Sequence, residues 1–148
     1  GKSYRNKHKE FPKSWWKGIP NDWLTSPDCD LSINNYGVKS GTSLRFWEQK
    51  GWMREQDPYG WVQWYCRFYK GRRTPDDERQ IKRWAAFCGP KGRWRNIIYA
   101  KIHASGCGIE NSQDVSRRIQ QSLLHWSYMV NEKDYAAWKK EKGITIEF

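Results

Sequence analysis

The sequence predicts an all-α protein, a compact Trp-rich bundle of about six helices that follows an irregular N-terminal segment. Apolar residues recur at helical spacing between residues 42 and 143. Pro and capping residues mark the predicted helix starts, and Gly marks several ends. The core must be built from large rings, because only 37% of the 148 residues are hydrophobic, yet 11 are Trp, 8 are Tyr and 5 are Phe.

The N-terminal residues differ in character from the rest of the chain. Residues 1–10 are basic and polar and predict a flexible arm, in front of a single helical domain at residues 11–148. Three Pro and three Trp follow the arm and predict irregular chain. Its rings, Trp15, Trp16 and Trp23, are expected to pin this chain to the core. The alternative is that one of them stays exposed and stacks on an unpaired base.

Six helical segments are predicted, at residues 42–51, 57–71, 74–89, 92–106, 114–130 and 131–143. Their N-caps are expected at Thr42 or Ser43, at Asp57, at Thr74 and at Asn131. Pro58 and Pro75 would then occupy the first helical position, where proline is favoured. The last five residues, ITIEF, predict a short strand or a docked end.

The helical period also predicts which side chains face the core. The inward residues are expected to be Trp61, Trp64, Tyr65 and Phe68 in the second helix; Ile81, Trp84, Ala85 and Cys88 in the third; Trp94, Ile97, Ile98 and Ile102 in the fourth; Ile119, Leu123, Trp126 and Val130 in the fifth; and Tyr135 and Trp138 in the sixth. In this phase Arg79 and Arg83 point away from the core, and Lys82 lies on the flank.

The chain is strongly basic, and the basic charge is concentrated. Lys and Arg number 27 against 16 Asp and Glu, which gives a formal charge of +11. Ten of the basic residues, but only three acidic ones, lie between Arg67 and Arg95. Such a field attracts nucleic acid, an anionic membrane surface or an acidic protein. The chain has no run of about 18 apolar residues, so no membrane-spanning segment is predicted.

An Arg-rich surface on a helical scaffold predicts a nucleic-acid-binding domain. Duplex DNA is the first expectation and RNA is the alternative. The domain could recognise either a base sequence or a modified base. No cofactor is expected. The predicted phosphate contacts are Arg72, Arg73, Lys91, Arg93 and Arg95; the residues expected nearest the bases are Arg79, Gln80 and Arg83, with Lys82 beside them.

The second and third helices, joined by a tight turn at Gly71, could form a helix-turn-helix whose second helix enters a major groove. Asp76 and Asp77 oppose this interpretation, because at the start of that helix they would meet phosphates unfavourably. The helix-turn-helix interpretation would remain possible if one of these carboxylates accepted a hydrogen bond from a cytosine amino group.

Other functions are open from the sequence. The first alternative is an enzyme acting on nucleic acid, with Asp57 or Asp77 in a cleft, and the second is a protein-interaction module for an acidic partner. A third possibility is that the basic surface binds no partner and is only a solvated face with salt bridges to residues 76–78. Cys88, His103 and Cys107 lack the closely paired spacing of zinc ligands, so no metal site is predicted. Four scattered cysteines without a CxxC pair indicate a reducing compartment, and nucleic-acid binding indicates the nucleus.

The stretch DPYGWVQWYCRFYKGRRTPDDERQIKRW at residues 57–84 lies between GVKSGTSLRFWEQKGW and VSRRIQQSLLHWSY. Together they resemble a family of uncharacterised eukaryotic proteins with the pattern D-P-x-G-W-x-x-W-Y-C-R-F-x-x-G-R-R followed by D-x-R-Q-I-x-R-W. The resemblance covers about residues 11–130 and implies one self-contained domain. It implies no catalytic or binding residues.

Overall fold

The computed structural model describes residues 6–25 and 28–144, which are helical or irregular and include no β-strand within these ranges. Two 3-10 helices, Lys7–Glu10 and Lys13–Trp16, come first. Seven α-helices follow: α1 Asn21–Thr25, α2 Leu44–Gln49, α3 Trp61–Tyr69, α4 Asp77–Cys88, α5 Arg93–Ser105, α6 Arg117–His125 and α7 Glu132–Glu141. The expected all-α bundle is confirmed, with α2–α7 as its six helices. None of the helices in the described ranges combines the length and apolar character needed to cross a bilayer.

Three of the predicted helix caps form as expected. The Ser43 hydroxyl accepts the Phe46 N–H at 3.2 Å, and the Asn131 side chain accepts the Asp134 N–H at 2.9 Å. Before α4, the Asp77 carboxylate accepts the backbone N–H of Thr74 at 2.9 Å. The Thr74 hydroxyl accepts the N–H of Asp76 at 3.3 Å in return. This reciprocal arrangement satisfies two donors at the helix start.

The predicted cap at Asp57 is wrong. Helix α3 begins four residues later, behind Gly60, whose φ of +84° is readily adopted only by glycine. Asp57 is instead only 3% exposed. Its carboxylate accepts two hydrogen bonds from Arg72, at 2.8 and 2.7 Å, and one from Arg67 at 2.9 Å. Two guanidinium groups bind a carboxylate more strongly than the few N–H groups of a helix end do.

The buried core lies in the C-terminal half of the chain, between α4, α5, α6 and α7. It consists of Cys88, Ile98, Tyr99, Ile102, Leu123, Tyr128, Tyr135 and Trp138. Six of these, all except Tyr99 and Tyr128, were predicted to face inward. The hydroxyl groups of Tyr99 and Tyr128 share a hydrogen bond of 2.6 Å, so these buried polar atoms are satisfied.

The predicted phase of α4 is only partly correct. Trp84 and Cys88 face inward as expected, but Ile81 is 49% exposed and Ala85 is exposed. Gln80, which was expected to face outward, is only 3% exposed. The Trp84 indole N–H donates to the backbone carbonyl that follows α6 at 2.9 Å. This hydrogen bond satisfies the half-buried indole and links α4 to the end of α6.

The N-terminal segment packs on the domain through aromatic rings. Trp15 stacks on the buried ring of Phe11 with centroids 5.6 Å apart, and the Trp16 indole N–H donates to a backbone carbonyl of the first 3-10 helix at 3.0 Å. Trp23, in contrast, is 57% exposed. Glu10 accepts from Arg67 at 2.6 Å, so Lys7–Glu10 packs on the domain, whereas the sequence predicted a flexible arm through residue 10. Residues 1–5 of that arm, and residues 145–148 of the predicted strand or docked tail, lie outside the described residues.

We expect Asp57→Asn to destabilise the domain by about 3 kcal/mol, the lower end for a broken buried ion pair. The lower end applies because the Arg67 and Arg72 side chains keep 24% and 27% of their surface exposed. The measurement is urea unfolding followed by circular dichroism. The control is Asp114→Asn, which breaks an ion pair whose carboxylate side chain is 80% exposed and should change stability by less than about 1 kcal/mol. Equal effects of the two variants would contradict the central role of Asp57.

Stability should also fall in acid because of the same carboxylate. Burial raises the pKa of Asp57, but hydrogen bonds from Arg72, Gln56 and Arg67 outweigh burial and hold the pKa below its usual value. A folded-state pKa below the unfolded one stabilises the protein above about pH 4, and the contribution is lost as the pH falls below that. Urea unfolding at a series of pH values should therefore show a decline below about pH 4 that is smaller in Asp57→Asn. An identical acid decline in both proteins would refute this cause.

Candidate functional site

Three of the nine predicted contact residues are engaged by partners within the protein. Arg72 holds Asp57 through both of its terminal nitrogens. Arg95 is 9% exposed, pairs with Asp134 at 3.1 Å and packs over a buried tyrosine ring. Gln80 is buried and accepts a hydrogen bond from Arg83 at 2.9 Å. Buried polar groups need such partners, although Arg72 keeps 27% of its side chain exposed and Gln80 lines the groove described below.

Four other predicted contacts lie at the surface but do not converge. Lys82 pairs with Glu78 at 2.6 Å along α4. The Arg73 guanidinium lies 3.8 Å from a phenylalanine ring centroid and donates to two backbone carbonyls, and Arg93 lies over the ring of its neighbour in the chain. Lys91 is exposed. Of the set expected to read bases, Arg79, Lys82 and Arg83 line one open surface of α4, whereas Gln80 is buried.

Two predicted residues, Arg79 and Arg83, meet a third arginine in a groove. The groove has a volume of about 800 Å³ and lies between the loop at residues 51–58 and α4. Arg54 contributes the third guanidinium from the loop. We call this the arginine groove, defined by Arg54, Arg79 and Arg83. Trp47 and Trp52 also line it, and Trp52 is 56% exposed.

Three carboxylates, those of Glu55, Asp57 and Asp76, line the arginine groove beside its three guanidinium groups, and they differ in how closely they pair with them. Asp76 accepts from Arg79 at 2.5 and 2.8 Å, and this hydrogen bonding lowers the pKa of Asp76. Asp57 lines the groove but is held from behind by Arg67 and Arg72. Within the described residues, Arg83 has no carboxylate within ion-pair distance. Burial lowers its pKa, and the neighbouring charges of Arg79 and Arg54 lower it further. Like charges held this close favour a bound anion.

A second cavity adjoins the arginine groove. It has a volume of about 380 Å³, within the range of small-ligand sites. Arg83 lines both spaces, and no carboxylate lines this one. We call it the aromatic cavity, defined by its ring residues Trp47, Tyr59, Trp61, Phe87 and Trp126.

The walls of the aromatic cavity are fixed by ring contacts. Phe87 and Trp126 stack with centroids 5.3 Å apart and planes at 24°, and Trp61 lies 5.5 Å from Trp126. The Arg83 guanidinium lies 5.2 Å from the Trp126 ring, in cation–π distance. The buried Trp61 indole N–H has no acceptor among the described residues, which is costly for a buried donor by about 1–3 kcal/mol.

Polar side chains also reach the aromatic cavity. Thr42 accepts the indole N–H of Trp47 at 2.7 Å, which fixes that ring at the wall. Ser122 shares a short hydrogen bond with Ser40, and His125 bonds to a buried glutamine of α6 at 3.0 Å. Hydroxyl groups and a histidine can each donate and accept hydrogen bonds, so the lining can recognise a polar edge.

The carboxylates considered for catalysis have structural roles. Asp57 is saturated by two arginines, and Asp77 accepts from the Thr74 backbone and the Trp64 indole, which lowers its pKa. A group held ionised by fixed partners is poorly suited to accept and return a proton near neutral pH. A larger groove of about 1000 Å³ shares Arg54 and Glu55 with the arginine groove and is likewise lined by three acidic and three basic side chains.

The cysteines are reduced and do not gather with other metal ligands. All four are unpaired, and burial raises the pKa of Cys88 to about 12. Within residues 6–25 and 28–144, no group of three or more His, Cys, Asp or Glu side chains is arranged to hold a metal ion.

Comparison with known proteins gives no assignment. The chain matches no protein-family model, no curated protein and no solved structure. Any function must therefore be argued from the side chains of the arginine groove and the aromatic cavity.

Sequence reasoning identified Arg79 and Arg83 but missed their setting. Arg54 lies outside the basic stretch at residues 67–95, in a loop that has no helical pattern. Trp126 was expected in the core; it packs against the core cluster and also lines the aromatic cavity. Residues 37–52, which belong to the stretch that resembles a family, supply Trp47 to both the groove and the cavity. This resemblance is the one sequence signal that points to the neighbourhood of the loop at residues 51–58.

The contact between Arg83 and Trp126 should contribute modestly to stability. We expect Arg83→Gln to lower the free energy of unfolding by about 0.5–1 kcal/mol, the usual size of a cation–π contact near a surface. Lys82→Gln, next in the chain and fully at the surface, should change it by less than about 0.5 kcal/mol. Urea unfolding of both variants measures the difference. A loss of several kcal/mol in Arg83→Gln would show that Arg83 is a structural residue instead of a surface available to a ligand.

Proposed function

We propose that this domain binds nucleic acid through phosphate groups held in the arginine groove. The observation that carries the proposal is that Arg54, Arg79 and Arg83 line one groove that Glu55, Asp57 and Asp76 also line, and that among the described residues only Arg79 of the three forms an ion pair there, with Asp76. The planar guanidinium fork matches phosphate oxygens and can bind them through two parallel hydrogen bonds. An anion would relieve the mutual repulsion of these three side chains.

A polymer suits the chain better than a small anion. The formal charge of +11 extends well beyond the groove and would attract a polyanion over a wide area. Arg73, Lys91 and Arg93 lie elsewhere on the surface and add to this field. Duplex DNA is the first candidate and RNA the second, and binding to DNA would locate the protein in the nucleus.

We expect the triple variant Arg54→Gln, Arg79→Gln and Arg83→Gln to weaken binding to duplex DNA by at least about tenfold. Three lost phosphate contacts should also reduce the slope of log K against log salt by about 2–3. The matched control replaces Lys101, Lys133 and Lys140, three exposed residues on α5 and α7, by Gln. It removes the same charge without touching the groove and should keep most of the affinity. Fluorescence anisotropy with labelled DNA and RNA, at two salt concentrations, measures both effects.

Glu55 offers a test of opposite sign. It lines the groove, is exposed, and has no ion-pair partner within 4 Å in the described part of the chain. Glu55→Gln should therefore strengthen nucleic-acid binding by a few-fold, since a carboxylate repels a phosphate.

If the groove variant and the lysine control variant weaken binding equally, the overall positive field and not the groove binds the polymer. Tighter binding to polyglutamate than to any nucleic acid would instead favour an acidic protein partner.

A further inference from the structure

We propose that the aromatic cavity receives one unpaired base of the bound nucleic acid, while the adjacent phosphate lies in the arginine groove. This inference rests on the proposed function. The groove and the cavity adjoin, and Arg83, Trp47 and Gly60 line both. A nucleotide has the same arrangement, with a charged phosphate one sugar away from an apolar, flat base.

The rings of the cavity provide stacking surfaces. Phe87 and Trp126 lie nearly parallel to each other, and Trp61 is held against Trp126 at the same wall. Stacking a base on such a ring contributes about 1–3 kcal/mol and tolerates any base, because every base has a π face. The walls are already fixed by contacts among the rings, so little ordering is needed when a base binds.

The polar lining fits a base better than it fits an acyl chain. Thr42, Ser122 and His125 supply hydrogen-bonding groups around an otherwise aromatic space. The edges of a base carry both donors and acceptors. A hydrocarbon occupant would make no use of the remaining hydrogen-bonding capacity of these groups.

The distribution of charge determines which part of a nucleotide lies in the cavity and which lies in the groove. No carboxylate lines the aromatic cavity, and Arg83 is the permanently charged side chain on its wall. A neutral base can therefore enter without desolvating an opposing charge, and its phosphate stays beside the guanidinium. A base inside a double helix is stacked and paired, so it must be extruded or already unpaired to reach this space.

The experiment compares three duplexes of matched length and sequence by anisotropy. One is fully paired, one carries a single unpaired base in one strand, and one carries an abasic nucleotide at that position. We expect the unpaired base to tighten binding by at least about tenfold over the paired duplex, which is about 1.4 kcal/mol. The abasic duplex should lose this gain, because it keeps the flexible backbone and removes the ring.

A variant that fills the cavity tests the location. Val62 lines the cavity and is 47% exposed, so Val62→Trp should narrow the space without disturbing the core. It should reduce the affinity for the unpaired-base duplex to that for the paired one. The control is Tyr69→Trp on the same helix, because Tyr69 is 71% exposed and is not among the cavity's lining residues. This control should keep the preference, and urea unfolding verifies that both variants are folded.

The outcomes separate the two proposals. Equal affinity for all three duplexes would overturn the base-binding inference and leave phosphate binding intact. No measurable binding to any duplex would overturn the proposed function itself. A free nucleoside monophosphate that displaces the unpaired-base duplex at equal concentration would show that the site takes free nucleotides and would overturn the assignment to a polymer. Loss of the preference in Val62→Trp but not in Tyr69→Trp would support the inference.

Discussion

The buried carboxylate of Asp57, held between Arg67 and Arg72, is the interaction on which the N-terminal half of the fold depends. Asp57 precedes α3, Arg67 lies in its last turn, and Arg72 lies in the turn that leads to α4. The three side chains close this stretch into a loop, and Glu10 joins the N-terminal segment to it. Burying a carboxylate is unfavourable unless its partners are fixed, so the network constrains where α3 begins and where α4 departs. The walls of the arginine groove follow from that constraint.

Basic residues in this protein serve two different purposes. Arg67, Arg72 and Arg95 hold buried or half-buried carboxylates and are part of the architecture. Arg54 and Arg83 lie beside the groove without such a partner in the described ranges. Arginine suits both uses, because its five donors can saturate an internal carboxylate or hold an external phosphate. The number of Lys and Arg residues in the sequence is therefore larger than the number available to bind a polymer.

The candidate site was predictable only in part. Concentrated charge indicated the stretch of the chain that supplies two of the three arginines of the groove, Arg79 and Arg83. The arginine from the loop and the adjoining cavity were not predictable, because they come together through contacts between residues far apart in sequence. Trp61 and Trp126 illustrate this, since they are separated by 64 intervening positions yet form one wall of the cavity.

The sequence by itself determined the all-α class, the helix caps at Ser43, Thr74 and Asn131, and the presence of a large aromatic core. These features depend on interactions within one helical turn, where the chain alone specifies the partners. Only the tertiary structure decided that Asp57 is an ionic hub and that Gln80 is buried. A carboxylate before a proline has the same local signature in either role, and a helix with rings and polar groups on several faces has more than one plausible phase. Distant partners, namely two arginines for the carboxylate and a backbone carbonyl for an indole, make the choice.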